Sequence, residues 1–413
     1  MILFFTFALI LCSIADTVSG QPNRNSYDER GELLFVQLLF RHGDRTPLSF
    51  YKNDPWKDQK YWDHEPGQLT NLGKRQEFEL GLYIRDRYAD FLDPTYSEND
   101  IYVQSSNITR TILSAKAFLT GVYKPETSPD FWSSNFSWNP PFTVHTTPRK
   151  VDYLIHANTK CDAFNKHFDA FLQLDEIKEF DRKHKHLYDY LSLHSGDNVE
   201  KMSDTVPIRD TLWVESIHNR SLPDWTKRVL RGGDLYDNIE ETFLKTFILD
   251  TSTPFMAKIK GGFLLKDILD RFTNKSKSLL EPDRKLWVYS GHDSTIARLS
   301  NSLGILKAMP NVTTCVLFEM RNINNIPHIE IFWKDPSTAA VQLRIPNCEL
   351  SCPLADFYVL YKNILPTKSF EEECMVPESE RSNADKIASK FILQIVALAA
   401  LLKQLMYYVS GPF

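Results

Sequence analysis

The residues best equipped for chemistry fall in two short stretches and one single position. Arg41-His42-Gly43-Asp44-Arg45-Thr46-Pro47 sets a histidine between two arginines. Far downstream, Gly291-His292-Asp293 sets a second histidine beside a carboxylate, and Arg110 lies where a helix is expected to begin. Three guanidinium groups and a histidine at one point neutralise a phosphoryl group. Arginine does this best because its fork meets two oxygens at once. Phosphoryl transfer needs mainly positioning and charge stabilisation, so this set requires neither metal nor other cofactor. His42 would attack phosphorus as neutral imidazole, giving a phosphohistidine. Asp293 would protonate the leaving alcohol, which predicts an acidic pH optimum. Alone, Arg41-His42-Gly43 reads more readily as a solvated surface turn, and Arg110 as a solvent-facing residue. The elements around them decide.

Leu33 to Phe40 is an apolar run too short for a helix, and it reads as a buried strand. The histidine cluster follows at its carboxyl end, where open α/β sheets bind ligands. Gly43 is expected to let the backbone approach a ligand, and Pro47 to stop the sheet. Thr70 caps a predicted helix to about Leu92. Ile101 to Ser106 is a second strand, and the helix after it, Arg110 to Tyr123, puts Arg110 near a helix N-terminus that favours anions. Val144 to Pro148 is a short third strand. The pattern of strand, glycine and histidine returns at Leu286–Gly291, before a helix expected over Ile296–Leu306. Three more strands, Cys315–Met320, His328–Trp333 and Ala339–Ile345, read as an antiparallel edge. Strand and helix alternating early imply a mostly parallel sheet between helices, a three-layer α/β/α sandwich. From Asn158 to Leu280 helical patterns such as Asp162–Phe180 and Leu235–Asp250 take over, which implies an inserted, smaller helical cap domain. Within it, Lys183-His184-Lys185-His186 reads as a solvated basic face, because positions i and i+2 on a helix point apart. The expected division is 21–157 and 281–375 for the α/β domain, 158–280 for the cap and 376–390 for a linker.

A net charge of −5 excludes the basic field that a nucleic-acid surface needs, so any anion is bound by a local arginine cluster. Residues 1–20 have the apolar run and small-residue end of a secretory signal peptide, although no Lys or Arg precedes the run. Sequons at Asn135, Asn219, Asn274 and Asn311 agree with secretion; a further one at Asn107 is set aside because it adjoins Arg110. Cys12 falls in the leader, so Cys161, Cys315, Cys348, Cys352 and Cys374 remain, an odd set that leaves one thiol free or paired between chains. Cys348 and Cys352 are close enough to bridge locally, and no Cys/His ligand set points to zinc. The run from Phe391 to Val409 holds a single charge, Lys403. Residues 391–413 therefore read as a membrane anchor, either a transmembrane helix or a GPI signal with small residues at Ser382-Asn383-Ala384. The missing positive charge after Val409 favours GPI.

The heptapeptide at Arg41–Pro47 resembles the R-H-G-x-R-x-P signature of the histidine acid phosphatases, branch 2 of the histidine phosphatase superfamily, and His292-Asp293 resembles their distal pair. Within the family the chain looks most like the prostatic and lysosomal acid phosphatases. The likeness runs from about Leu33 to Cys374 and takes in Gly67–Thr70, Glu215–Asn219 and Cys348–Leu354. It implies His42 as nucleophile, Asp293 as proton donor, and Arg41, Arg45, Arg110 and His292 as phosphate contacts. It also implies small phosphomonoester substrates, no cofactor, a possible homodimer, and the pairs Cys161–Cys374 and Cys348–Cys352; with the leader and tail, the expected location is the secretory pathway, extracellular, cell-surface or lysosomal. The first pair closes a long loop, worth roughly 5 kcal/mol if chain entropy sets its effect. The family's third bridge uses a cysteine where this chain has Val214, so Cys315 should be free and buried. Competing readings are a phosphatase for inositol polyphosphates or lysophospholipids, a mutase, and a binding protein that has lost catalysis.

Overall fold

The computed structural model describes residues 30–124, 142–230 and 233–376. In chain order the elements are β1 (Glu32–Arg41), α1 (Asn71–Arg87), β2 (Ile101–Ser106), α2 (Thr109–Val122), β3 (His145–Thr147), α3 (Asp162–Leu172), α4 (Asp175–Ser195), α5 (Thr205–Ile217), β4 (Val229–Leu230), β5 (Gly233–Asp234), α6 (Leu235–Leu249), α7 (Pro254–Ala257), α8 (Phe263–Ser276), β6 (Leu286–Gly291), α9 (Asp293–Ser302), β7 (Cys315–Ile323), β8 (Ile326–Lys334), β9 (Val341–Leu343), β10 (Ser351–Pro353), α10 (Leu354–Tyr361) and α11 (Phe370–Glu373).

The large sheet runs β10-β8-β7-β1-β6-β2-β3, with β9 on β8. Its β1-β6-β2-β3 half is parallel, and β7, β8, β9 and β10 extend it antiparallel. The apolar run of β1 is explained by burial on both faces. Phe35 and Leu39 enter one core with Trp287, Tyr289 and the inner side of α8, α9 and α10. Val36, Leu38 and Phe40 enter the opposite core with α1 and α2. The polar residue between them, Gln37, donates from its side-chain amide to the Ile268 carbonyl at 2.8 Å, while its amide oxygen is buried without a partner. Helices α1 and α2 approach so closely that a Cβ on Gly81 would strike the Phe118 carbonyl, and one on Gly121 the Phe78 carbonyl.

The helices expected to form the cap share an apolar cluster, in which Tyr51 joins Leu187, Leu191, Leu212 and Ile239 from α4, α5 and α6. Several expectations need correcting. Helix α8 falls inside the stretch assigned to the cap over 158–280, yet Leu265, Ile268 and Phe272 pack on the sheet, with Phe35 and Phe272 edge to face at 5.8 Å. Helix α8 therefore shares its core with the sheet. The helix predicted over Asp162–Phe180 breaks into α3 and α4 at Gln173-Leu174. His184 is not on a solvated face: it is 7% exposed, its Nδ1 lies 2.9 Å from the Phe180 carbonyl, and its Nε2 faces Glu241 at 3.3 Å. At Gly43 a Cβ would strike the Gly73 backbone, so glycine here lets the loop lie against the start of α1.

The bridges Cys161–Cys374 and Cys348–Cys352 are formed, and Cys315 is free and buried. The leader at 1–20, the Asn135 sequon, the linker beyond residue 376 and the anchor at 391–413 lie outside the described residues. Among the described residues no helix is long and apolar enough to cross a membrane.

Candidate active site

Adjacent strands deliver the two histidines. Arg41 lies in register with Gly291, and the His42 amide donates to the Gly291 carbonyl at 3.0 Å. The chains then leave the sheet side by side, and the His42 and His292 rings stand edge to face with centroids 5.5 Å apart. Strand β2, on the far side of β6, ends at Ser106 and turns into α2, which carries Arg110 as its second residue. Helix α9 starts at Asp293 with His292 as its cap, three residues earlier than the predicted Ile296. All six predicted residues, Arg41, His42, Arg45, Arg110, His292 and Asp293, thus converge at the carboxyl ends of parallel strands.

His42 is 2% exposed. Its Nδ1 is 2.8 Å from the Gly43 carbonyl, so Nδ1 carries the proton and Nε2 keeps its lone pair. Burial, followed by the charges of Arg110 and Arg41, holds its pKa well below the ordinary value, so the imidazole is neutral. His292 is held down in the same way, by burial and then Arg110. Its Nε2 lies 2.8 Å from Ser106 Oγ, and Arg110 Nη2 approaches its Nδ1 at 3.4 Å. Ser106 in turn bonds Thr111 Oγ1 at 2.9 Å.

Two of the arginines are already paired. Arg41 Nη2 is 3.0 Å from Asp293, and its Nη1 donates to the Pro310 carbonyl at 2.7 Å. Arg45 makes a two-pronged pair with Asp210 of α5, at 3.0 and 2.7 Å. Arg110 has no carboxylate partner among the described residues. The Nε atoms of Arg41, Arg45 and Arg110 are all buried without an acceptor, donors that an oxyanion would satisfy. Burial raises the Asp293 pKa, but Arg41, Arg45 and His292 outweigh it and hold the carboxyl at about 2. Asp293 is therefore ionised, which does not fit a donor protonated simply by mildly acidic solution.

Sequence reasoning missed three participants. Asp210, the counterion of Arg45, sits in the middle of α5 and gives no local signal. Asp44, 0% exposed, accepts from His218 Nε2 at 2.9 Å and from the Thr70 hydroxyl at 2.5 Å, tying the signature loop to α1 and the end of α5. His156 lines the same cavity as His42 and His292, with its ring 5.6 Å from that of His292. That cavity measures about 520 Å3. Phe243, Phe247, Val206 and Pro207 from the cap form its apolar side. Among the described residues no group of three or more His, Cys, Asp or Glu is placed to hold a metal ion.

A family model, the histidine phosphatase superfamily (branch 2), matches residues 32–328, the span that builds this site. The chain belongs to that family. It is 30% identical to human prostatic acid phosphatase over 362 residues, 86% of this chain and 91% of that protein. It is 33% identical to Xenopus laevis lysosomal acid phosphatase over 353 residues, 83% and 79% of the two chains. A venom acid phosphatase, Acph-1 of Apis mellifera, is 29% identical over 343 residues, 82% of this chain and 87% of that one. The fold is that of the Hafnia alvei phytase solved with tartrate, at a TM-score of 0.63 and 17% identity, covering 84% of this chain and 99% of the phytase. As a member of this family the chain is a phosphatase, a hydrolase.

Proposed function

We propose that the protein hydrolyses small phosphate monoesters through a phosphohistidine on His42, without a metal. One observation carries the proposal: a neutral, buried imidazole with Nδ1 bonded to the Gly43 carbonyl lines the same cavity as Arg45, Arg110, His292 and Asp293. His42 Nε2 attacks phosphorus as the bond to the leaving oxygen breaks. Arg41, Arg45, Arg110 and His292 hold the phosphoryl oxygens. Asp293 gives its proton to the leaving oxygen, releasing the alcohol. Water then attacks the phosphohistidine, the P–N bond breaks, and the water proton returns to Asp293.

The low pKa of Asp293 is met by the substrate. A phosphate monoester loses its second proton near pH ~6, so below that value the monoanion carries one into the site. The bound oxyanion also occupies Arg41 and Arg45, the two charges that hold Asp293 down. The proton can then pass to Asp293 and on to the leaving oxygen. His42 escapes protonation in acid because burial and the neighbouring arginines depress its pKa. Both effects favour an acidic optimum.

The test is hydrolysis of 4-nitrophenyl phosphate at pH 4 to 6, together with trapping of labelled phosphoenzyme by alkaline quench, since phosphohistidine survives base. His42→Ala is expected to lose activity by about 10^4-fold or more and to trap no label. A wild type inactive across that range would favour a binding protein that has kept the fold. Activity abolished by a chelator would defeat the metal-independent route.

The leader-like residues 1–20, the two disulfides and exposed sequons at Asn219, Asn274 and Asn311 support passage through the secretory pathway, with 391–413 as a membrane anchor.

A further inference from the structure

The cavity that holds the phosphate cluster has a second basic wall. Arg149, His156 and Arg298 line it together with His42 and Arg45. The imidazoles of His42, His292 and His156 step across the floor at 5.5 and 5.6 Å, so this wall is within the span of one small substrate. It has no part in the reaction described above.

The bonding on this wall leaves donors uncommitted. Arg298 is clamped by Asp250, which accepts from Nε and Nη2 at 2.7 Å. Its Nη1 reaches only the His156 carbonyl and Asn158 Oδ1, both at 3.4 Å, which is longer than an ordinary N–H···O bond. Arg149 is exposed, and its Nε donates to His156 Nε2 at 2.7 Å. Its Nη atoms bond nothing among the described residues. The received bond fixes His156 with its proton on Nδ1.

Charge is also in surplus. Lys260 stands beside Arg298, and burial and then the Arg298 charge pull its pKa down to about 8. Of the two carboxylates packed here, Asp250 serves Arg298. Asp152 serves the backbone amides of Leu154, Ile155 and His156. Arg149, Arg298 and Lys260 therefore have one nearby carboxylate counterion among them, Asp250, and it is committed to Arg298. A wall of fixed guanidinium groups suits a phosphate, whose oxygens two forks can meet together.

We propose that Arg149, His156 and Arg298 form a second phosphate-recognition site, so that the preferred substrates are phosphomonoesters whose leaving group carries another phosphate. This rests on the phosphatase reading only for which phosphate is cleaved. The recognition itself is a binding property and is testable without turnover.

Calorimetric titration of the full chain carrying His42→Ala compares fructose 1,6-bisphosphate with fructose 6-phosphate. The bisphosphate is expected to bind about 10-fold tighter or more, and adding Arg149→Gln is expected to remove about 10-fold of that margin. Arg298→Lys, which keeps a cation for Asp250 but loses the fork, should shrink the margin as well. Lys150→Gln, at an exposed lysine off the cavity, should leave it intact. Equal affinities for the two sugars would overturn the proposal. So would a margin that survives Arg149→Gln, or one lost equally on Lys150→Gln, since that would mean a diffuse field rather than a site. An enzyme without hydrolytic activity would defeat the phosphohistidine reading and leave these affinities to be read as they stand.

Discussion

Helix α5 carries two acids that meet opposite surroundings. Asp210 faces Arg45 in the phosphate cluster. Glu215, five residues on, is buried beside Asp54. In the first region cations outnumber carboxylates, so His42 is pushed toward its neutral form and Asp293 toward its charged one. In the second, two carboxyl groups share one place. Burial and then the hydrogen bond to Asp54 raise the pKa of Glu215, which keeps a proton and donates it to Asp54. Asp54, also raised by burial, accepts that bond and the Trp56 amide at 2.6 Å. One region is built to receive an anion and the other cannot tolerate a second negative charge. Acid therefore favours the carboxyl pair and works against the phosphate cluster, for opposite electrostatic reasons.

The largest expected effect breaks the first region. Asp293→Asn should slow hydrolysis of an alkyl phosphate such as glycerol phosphate by about 10^2- to 10^4-fold. It should cost far less with 4-nitrophenyl phosphate, whose leaving oxygen needs no proton. Equal losses with both substrates would mean that Asp293 serves mainly to hold Arg41. A smaller effect sharpens the electrostatic account. If the substrate monoanion brings the proton, kcat/KM for an alkyl phosphate should fall about tenfold per unit above pH ~6. A profile flat to pH 8 would show that Asp293 is loaded from another source.

The two regions also differ in how legible they were. The phosphate cluster could be read because its members lie within a few residues of the end of an apolar strand or at the start of a helix. Parallel pairing then brings strand ends such as Arg41 and Gly291 into register. Asp210 could not be read, because its role depends on α5 packing against the loop that carries Arg45, and no local pattern encodes that. The same holds for Glu215 and Asp54, far apart in the chain and joined only by packing. Helix α8 was assigned to the cap because helical periodicity shows that a face is apolar without showing what covers it. His184 was assigned to solvent because its basic neighbours masked a position on the buried stripe with Leu187 and Leu191.

The carboxyl pair gives the mildest prediction and the one that isolates the second region. Glu215 has its folded pKa raised above the ordinary value of 4.5. The folded state therefore holds a proton that the unfolded chain releases first, and the stability this provides is present below about 4.5 and drains away as pH rises. Gln at 215 keeps a donor for Asp54 and has nothing to titrate. Glu215→Gln should therefore be close to neutral in urea unfolding at pH 4.5 and stabilising by about 1–3 kcal/mol at pH 8. The phosphate cluster pulls the other way, because neutral His42 and ionised Asp293 both lose stability as pH falls. A mutant whose advantage over wild type is the same at both pH values would mean that Glu215 is ionised in the folded protein, with Arg220, the one cation that opposes the shift, as its counterion.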